Sequence, residues 1–106
     1  MNVFRSCFNM TKLDEIKETI KKNKSLVQKE FGVKKIGIFG SYVKNTQKKR
    51  SDLDILVDFS RTISLLKFVK LENYLKDLLK IKVDLVFAGS LRPELRETIL
   101  NEVIFI

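Results

Sequence analysis

The sequence has no histidine and a single cysteine, Cys7. The first absence removes imidazole from any acid–base chemistry. Together the two remove the usual zinc ligand sets, and one cysteine cannot form an internal disulfide. Any metal must therefore be held by oxygen ligands, which points to magnesium or manganese. No apolar run approaches the ~18 residues a membrane span needs. The first ten residues show neither a continuous apolar stretch nor a small-residue cleavage site, so no leader and no membrane association are expected, and the cytoplasm is the expected compartment. Repeats, linkers and low-complexity tracts are also missing.

What is present fits one domain: 106 residues, 44% of them hydrophobic, enough for one modest core. The net charge of +8 describes either a solvated lysine-rich surface or a field that attracts nucleotides, nucleic acid or an acidic protein. Charge alone does not choose among them.

Two adjoining stretches organise the chain: Ile36-Gly-Ile-Phe-Gly-Ser-Tyr42 and Ser51-Asp-Leu-Asp-Ile-Leu-Val57. They predict a strand over 33–39, a glycine turn at Gly40-Ser41, one helical turn at 42–44, a polar loop with Lys48, Lys49 and Arg50 in a row, and a strand over 51–59. Gly37 inside the first strand marks a close approach of backbone or of a helix. Before them, Leu13, Ile16, Ile20, Val27 and Phe31 recur at helical spacing from Thr11 to Phe31. Thr11 and Asp14 stand as a capping box, and Gly32 stands at the C-cap. After them, a helix is expected over 60–79 with Leu65, Phe68, Leu71, Leu75, Leu78 and Leu79 as its buried stripe; Tyr74 belongs to that packing. A strand follows over 82–87, then a helix over 90–101 with Pro93 in its first turn and Leu95 and Ile99 inward. The apolar tail 103–106 is a fourth strand or a partner contact. Residues 1–10 read as an extension and 11–106 as the domain. The fold class is α+β, a small mixed sheet packed with helices.

Asp52 and Asp54 are two residues apart, so in a strand their carboxylates share a face. A pair so placed, about 7 Å apart from the strand rise, can grip the two divalent ions that nucleotidyl transfer uses. Asp84 stands alone among apolar residues of the next strand, an expensive place for a carboxylate without a metal or a partner, and it can supply the third ligand and accept a proton. Asp58, about 13 Å beyond Asp54, falls outside the cluster. Gly40 lets backbone amides approach phosphate oxygens, and Ser41 adds a hydroxyl and begins a turn with free N–H groups. Lys44, with Lys48, Lys49 or Arg50, can neutralise a triphosphate tail.

Gly40-Ser41-Tyr42 followed by Ser51-Asp52-Leu53-Asp54-Ile55-Leu56-Val57 closely resembles the minimal nucleotidyltransferases of the DNA polymerase β-like superfamily, with their Gly-Ser, gap of about ten residues and Asp-x-Asp. Lys82-Val-Asp-Leu-Val86 resembles that family's third-carboxylate strand. Leu91-Arg-Pro-Glu-Leu-Arg-Glu-Thr-Ile-Leu100 followed by Glu102 resembles its closing helix. The resemblance covers residues 11–106 and implies the polymerase β-like nucleotidyltransferase fold. It implies that Gly40 and Ser41 hold nucleotide phosphates, that Asp52, Asp54 and Asp84 bind two Mg²⁺ ions, and that Asp84 is the general base. One departure is that Lys44-Asn45 stands where many relatives carry arginine-glycine, keeping charge without bidentate phosphate geometry.

Minimal members of this kind resemble antitoxins encoded beside HEPN-domain ribonuclease toxins. The implied activity is a Mg²⁺-dependent protein adenylyltransferase that moves AMP from ATP to a tyrosine of the toxin and silences it, in a hetero-oligomer with that toxin. Two other readings stand beside it: a non-catalytic antitoxin that acts by occlusion, and a nucleotidyltransferase subunit for RNA or a small molecule. No aromatic-interleaved basic platform for single-stranded nucleic acid is visible, so direct nucleic-acid binding is not expected.

Overall fold

The computed structural model describes residues 12–44 and 52–106. Cys7, Thr11 of the expected capping box, Lys48, Lys49, Arg50 and Ser51 lie outside the described residues. The elements in order are α1 (Lys12–Phe31), β1 (Val33–Phe39), α2 (Ser41–Lys44), β2 (Leu53–Phe59), α3 (Leu65–Leu79), β3 (Val83–Phe87), a 3₁₀ turn (Ala88–Ser90), α4 (Pro93–Glu102) and β4 (Ile104–Phe105). The sheet order is β3-β2-β1-β4. β1 runs antiparallel to β2 and to β4, and β2 runs parallel to β3. The parallel pair needs a crossover, which α3 supplies. This is the small mixed α+β sheet the sequence predicts.

Alternation on β2 explains the layering. Leu53, Ile55 and Val57 face one side and are fully buried. They form one core with Ile16, Ile20 and Val27 of α1, Ile36 and Ile38 of β1, and Leu71 and Leu75 of α3. Residues 54, 56 and 58 face the other side, where Leu56 alone is buried. Tyr74 is a packing residue as expected: its ring lies 6.0 Å from that of Phe31, and its hydroxyl donates to Asn23 Oδ1 at 3.3 Å.

Gly32 closes α1 with φ +69°, its N–H donating to Gln28 O at 3.0 Å, the left-handed stop that glycine adopts most easily. Gly37 marks the expected close approach. A Cβ there would lie 2.7 Å from Val103 Cγ2 and 3.0 Å from Ile104 O. The apolar tail resolves as the fourth strand, with Gly37 opposite Phe105 and Ile38 opposite Ile104.

Several expected boundaries move. α3 starts at Leu65 rather than near Ser60, because the N-cap is Ser64, whose Oγ accepts from Lys67 N–H at 3.1 Å. Ser60 instead bonds back to Gly32, its N–H and its hydroxyl both donating to Gly32 O. Leu65, at the first helical position, is 79% exposed instead of joining the buried stripe. α4 begins at Pro93, three residues later than expected. It lies loosely on the structure: no residue of it is buried, and Leu95 is exposed rather than inward.

Candidate active site

The site lies where β1 ends and where β2 and β3 begin. Leu53 N–H donates to Lys82 O at 2.8 Å, which fixes the two parallel strands at their starts. Asp54 is then in register with Asp84 on one side and with Phe39 on the other. Neighbouring strands are about 4.8 Å apart, so the two carboxylates leave adjacent backbones. Asp52 precedes the first strand residue, because β2 begins at Leu53 rather than at Ser51 as expected. It remains close enough for its charge to act on Asp54.

Asp84 corrects the reasoning that singled it out. The sequence argument treats it as a costly carboxylate within an apolar strand, but Asp84 is exposed. β3 is an edge strand of the sheet, and its residue 84 points to the open side while Val83 and Leu85 enter the core. What places Asp84 in the site is the register with Asp54.

Gly40 is required by its neighbour. It adopts φ +82°, and a Cβ on it would collide with the Asp54 carboxylate, falling 2.9 Å from Asp54 Cγ. Its carbonyl accepts from Val43 N–H and Lys44 N–H, each at 3.1 Å, which winds α2. Tyr42 is buried in the core and anchors that turn, while Ser41 remains half-buried beside it. The glycine, the serine and the two strand acids thus meet at one end of the sheet.

Electrostatics mark the same place. The Asp54 carboxyl is pushed above the usual carboxylate range, chiefly by burial and then by the negative charges of Asp84, Asp52 and Glu102. A cluster of like charges on hard oxygen donors is relieved by a divalent cation, so the donor set suits Mg²⁺ or Mn²⁺. Among the described residues no group of three or more acidic side chains is placed to hold a metal ion. Asp52 and Asp84 are both exposed, and their side chains have room to turn toward an ion.

Glu102 was not foreseen as a site residue. It ends α4, two residues before Ile104 pairs with Ile38, and only that pairing brings it here. Its Oε1 is shielded from solvent and lies 3.0 Å from Lys44 Nζ, an ion pair without the alignment of a good hydrogen bond. Lys44, expected to meet phosphate, is thus seen paired with this carboxylate. The one sequence signal was an acid at the join between the closing helix and the apolar tail. A groove of about 850 Å³ lies at the opposite ends of β2 and β3 among Phe59, Ile63, Leu65, Phe68 and Phe87. Its lining holds no carboxylate, so it lacks the hard oxygen donors that a divalent cation takes.

A family model described as a nucleotidyltransferase domain matches residues 14–106. The chain belongs to the nucleotidyltransferase domain family. Protein adenylyltransferase MntA of Thermococcus cleftensis is 46% identical over 97 residues, covering 92% of this chain and 98% of the relative. A Methanocaldococcus jannaschii protein, provisionally named a protein adenylyltransferase, is 48% identical over 98 residues, covering 92% of this chain and all of the relative. Among solved structures, a provisionally named minimal nucleotidyltransferase superposes with TM-score 0.77 at 32% identity, covering 91% of this chain and 97% of that one. A toxin–antitoxin crystal structure with AMP-PNP superposes with TM-score 0.68 at 28% identity, covering 80% of this chain and 69% of that one. The expected nucleotidyltransferase fold and family are therefore both met.

Proposed function

We propose that this nucleotidyltransferase is an antitoxin that transfers AMP from ATP to a tyrosine of a cognate HEPN ribonuclease toxin and so silences it. The observation that carries the reading is the register of Asp54 with Asp84 beside the Gly40-Ser41 turn. The naming of a 46% identical relative as a protein adenylyltransferase supports protein as the acceptor. The toxin–antitoxin structure with an ATP analogue supports ATP as donor and a toxin as partner in a hetero-oligomer. The proposed ATP donor and ribonuclease target fit a reaction in the cytoplasm; no described helix is long and apolar enough to cross a membrane.

In this reading Asp52, Asp54 and Asp84 hold two Mg²⁺ ions, which neutralise charge on the phosphates when bound. Gly40 and Ser41 seat the phosphates, and Lys44 offsets the charge of the leaving tail. The tyrosine oxygen bonds to the α-phosphorus, the bond from that phosphorus to the oxygen bridging to the β-phosphate breaks, and pyrophosphate leaves with the electron pair. Asp84, exposed at the sheet edge, takes the hydroxyl proton.

The test is label transfer from α-labelled ATP to the partner encoded beside this chain. Asp52→Ala with Asp54→Ala is expected to lower transfer by on the order of 10³-fold or more. Undiminished transfer by that variant contradicts the site. Neutralisation of the toxin without ATP, equal in wild type and in a variant lacking all three aspartates, would show occlusion instead.

A further inference from the structure

We propose that Glu102 is a positioning residue for ATP: it holds the Lys44 ammonium beside the Gly40-Ser41 turn so that Lys44 meets the triphosphate tail already placed. The inference rests on the nucleotide site proposed above.

Three observations carry it. First, β4 pairs with β1 at Gly37 and Ile38, and Ile106 N–H donates to Ile36 O at 2.9 Å. The end of α4 is thereby fixed against the strand that leads into the glycine turn. Second, Glu102 Oε1 lies 3.0 Å from Lys44 Nζ, and the two side chains differ sharply in exposure, 16% for Glu102 against 63% for Lys44. The carboxylate is the fixed member and the ammonium the reaching one. Third, Lys44 N–H donates to Gly40 O at 3.1 Å, and Gly40 abuts the Asp54 carboxylate, so the pair belongs to the acidic cluster and not to a remote surface.

The chemistry favours positioning over direct participation. A bare carboxylate beside a triphosphate repels it, so an acid at this place helps an anionic ligand only through a cation. An ammonium has three N–H donors, and the ion pair with Glu102 holds its charge without engaging one of them in a well-aligned hydrogen bond, which leaves the donors for phosphate oxygens. Lysine lacks the planar fork that orients arginine on phosphate. A shielded carboxylate at its tip restores part of that preorganisation by narrowing the volume the ammonium samples. Gly37 has a place in the same device, since a Cβ there would press on Val103 and Ile104 and displace Glu102.

The experiment measures binding of Mg²⁺–AMP-PNP by calorimetry, steady-state label transfer, and thermal melting. It compares wild type, Glu102→Gln, Lys44→Ala, both together, and the charge-exchanged pair Lys44→Glu with Glu102→Lys. Glu102→Gln is expected to weaken analogue binding on the order of 5-fold, raising KM for ATP by a similar factor with kcat nearly unchanged. The double variant is expected to bind no more weakly than Lys44→Ala. The charge-exchanged pair is expected to recover the melting temperature without recovering binding. Wild-type binding by folded Glu102→Gln overturns the inference and leaves the nucleotide site standing. So does a charge exchange that restores binding, which would mark the pair as a latch between α2 and α4. Should Glu102→Gln fail to fold, Glu102→Asp, which keeps the charge on a shorter stem, is expected to show the weaker binding; wild-type affinity there overturns the inference. A wild type that binds no analogue overturns the nucleotide site and this inference with it.

Discussion

The two faces of β2 differ in what their side chains contribute. Leu53, Ile55 and Val57 are fully buried against α1 and α3, and each removes apolar surface worth about 1.5–3 kcal/mol from water. One residue along, Asp54 lies half-buried on the opposite face among Asp52, Asp84 and Glu102, and its ionised form is disfavoured there. The helix-covered face holds the fold together, and the open face keeps a charge the fold resists. Both come from one alternating stretch, Leu53-Asp-Ile-Leu-Val-Asp-Phe59. The lesson is that one strand separates the two tasks: its inward side chains supply the stability, and its outward side chains supply the reactive group.

Three substitutions sharpen this contrast. Ile55→Ala is expected to destabilise by about 2–5 kcal/mol, from lost transfer energy and the cavity left behind, while transfer per folded molecule stays near wild type below the new melting temperature. Denaturant unfolding together with label transfer on the same samples checks it. Gly40→Ala acts at the join of the two regions. Its Cβ meets the Asp54 carboxylate in a left-handed backbone conformation, and the displaced acid is expected to lower transfer by about 10²-fold. Melting shows whether the fold survives the change.

Asp54→Asn gives the smallest effect on stability, and its sign is the informative part. The Asp54 carboxyl is raised above its unfolded value. At pH above that raised value the ionised group works fully against folding, and the penalty is lost as pH falls toward the ordinary carboxylate range. Asp54→Asn is therefore expected to raise the melting temperature slightly at neutral pH without divalent ions. The gain disappears on acidification, and Mg²⁺ narrows it by stabilising wild type more. Melting curves over pH with and without Mg²⁺ check this.

Much of the fold was legible in the chain. The alternation of β2 and the run Val33–Phe39 gave their strands directly, because period two and a closing glycine leave little choice. The start of α3 was not legible. Ser60 and Ser64 are both credible caps by residue type, and only the contact of Ser60 with Gly32, distant in sequence, decides between them. The exposure of Leu65 and Leu95 follows from where the helices run past the sheet, which spacing does not encode. At the candidate site, a local motif was enough to group Asp52, Asp54, Gly40 and Ser41. Asp84 was found for a burial that it does not have, and its register with Asp54 is the sounder reason. Glu102 depends on β4 folding back onto β1, a pairing between distant residues that no local pattern announces.

The most direct measurement of the central claim uses ATP labelled at the α- or the γ-phosphate, incubated with this chain, its partner and Mg²⁺. Label from the α position is expected on a tyrosine of the partner. Label from the γ position is expected in pyrophosphate, and chelation of divalent ions is expected to stop both. Transfer of the γ label to the partner, or α transfer that persists in Asp52→Ala with Asp54→Ala, would contradict the account.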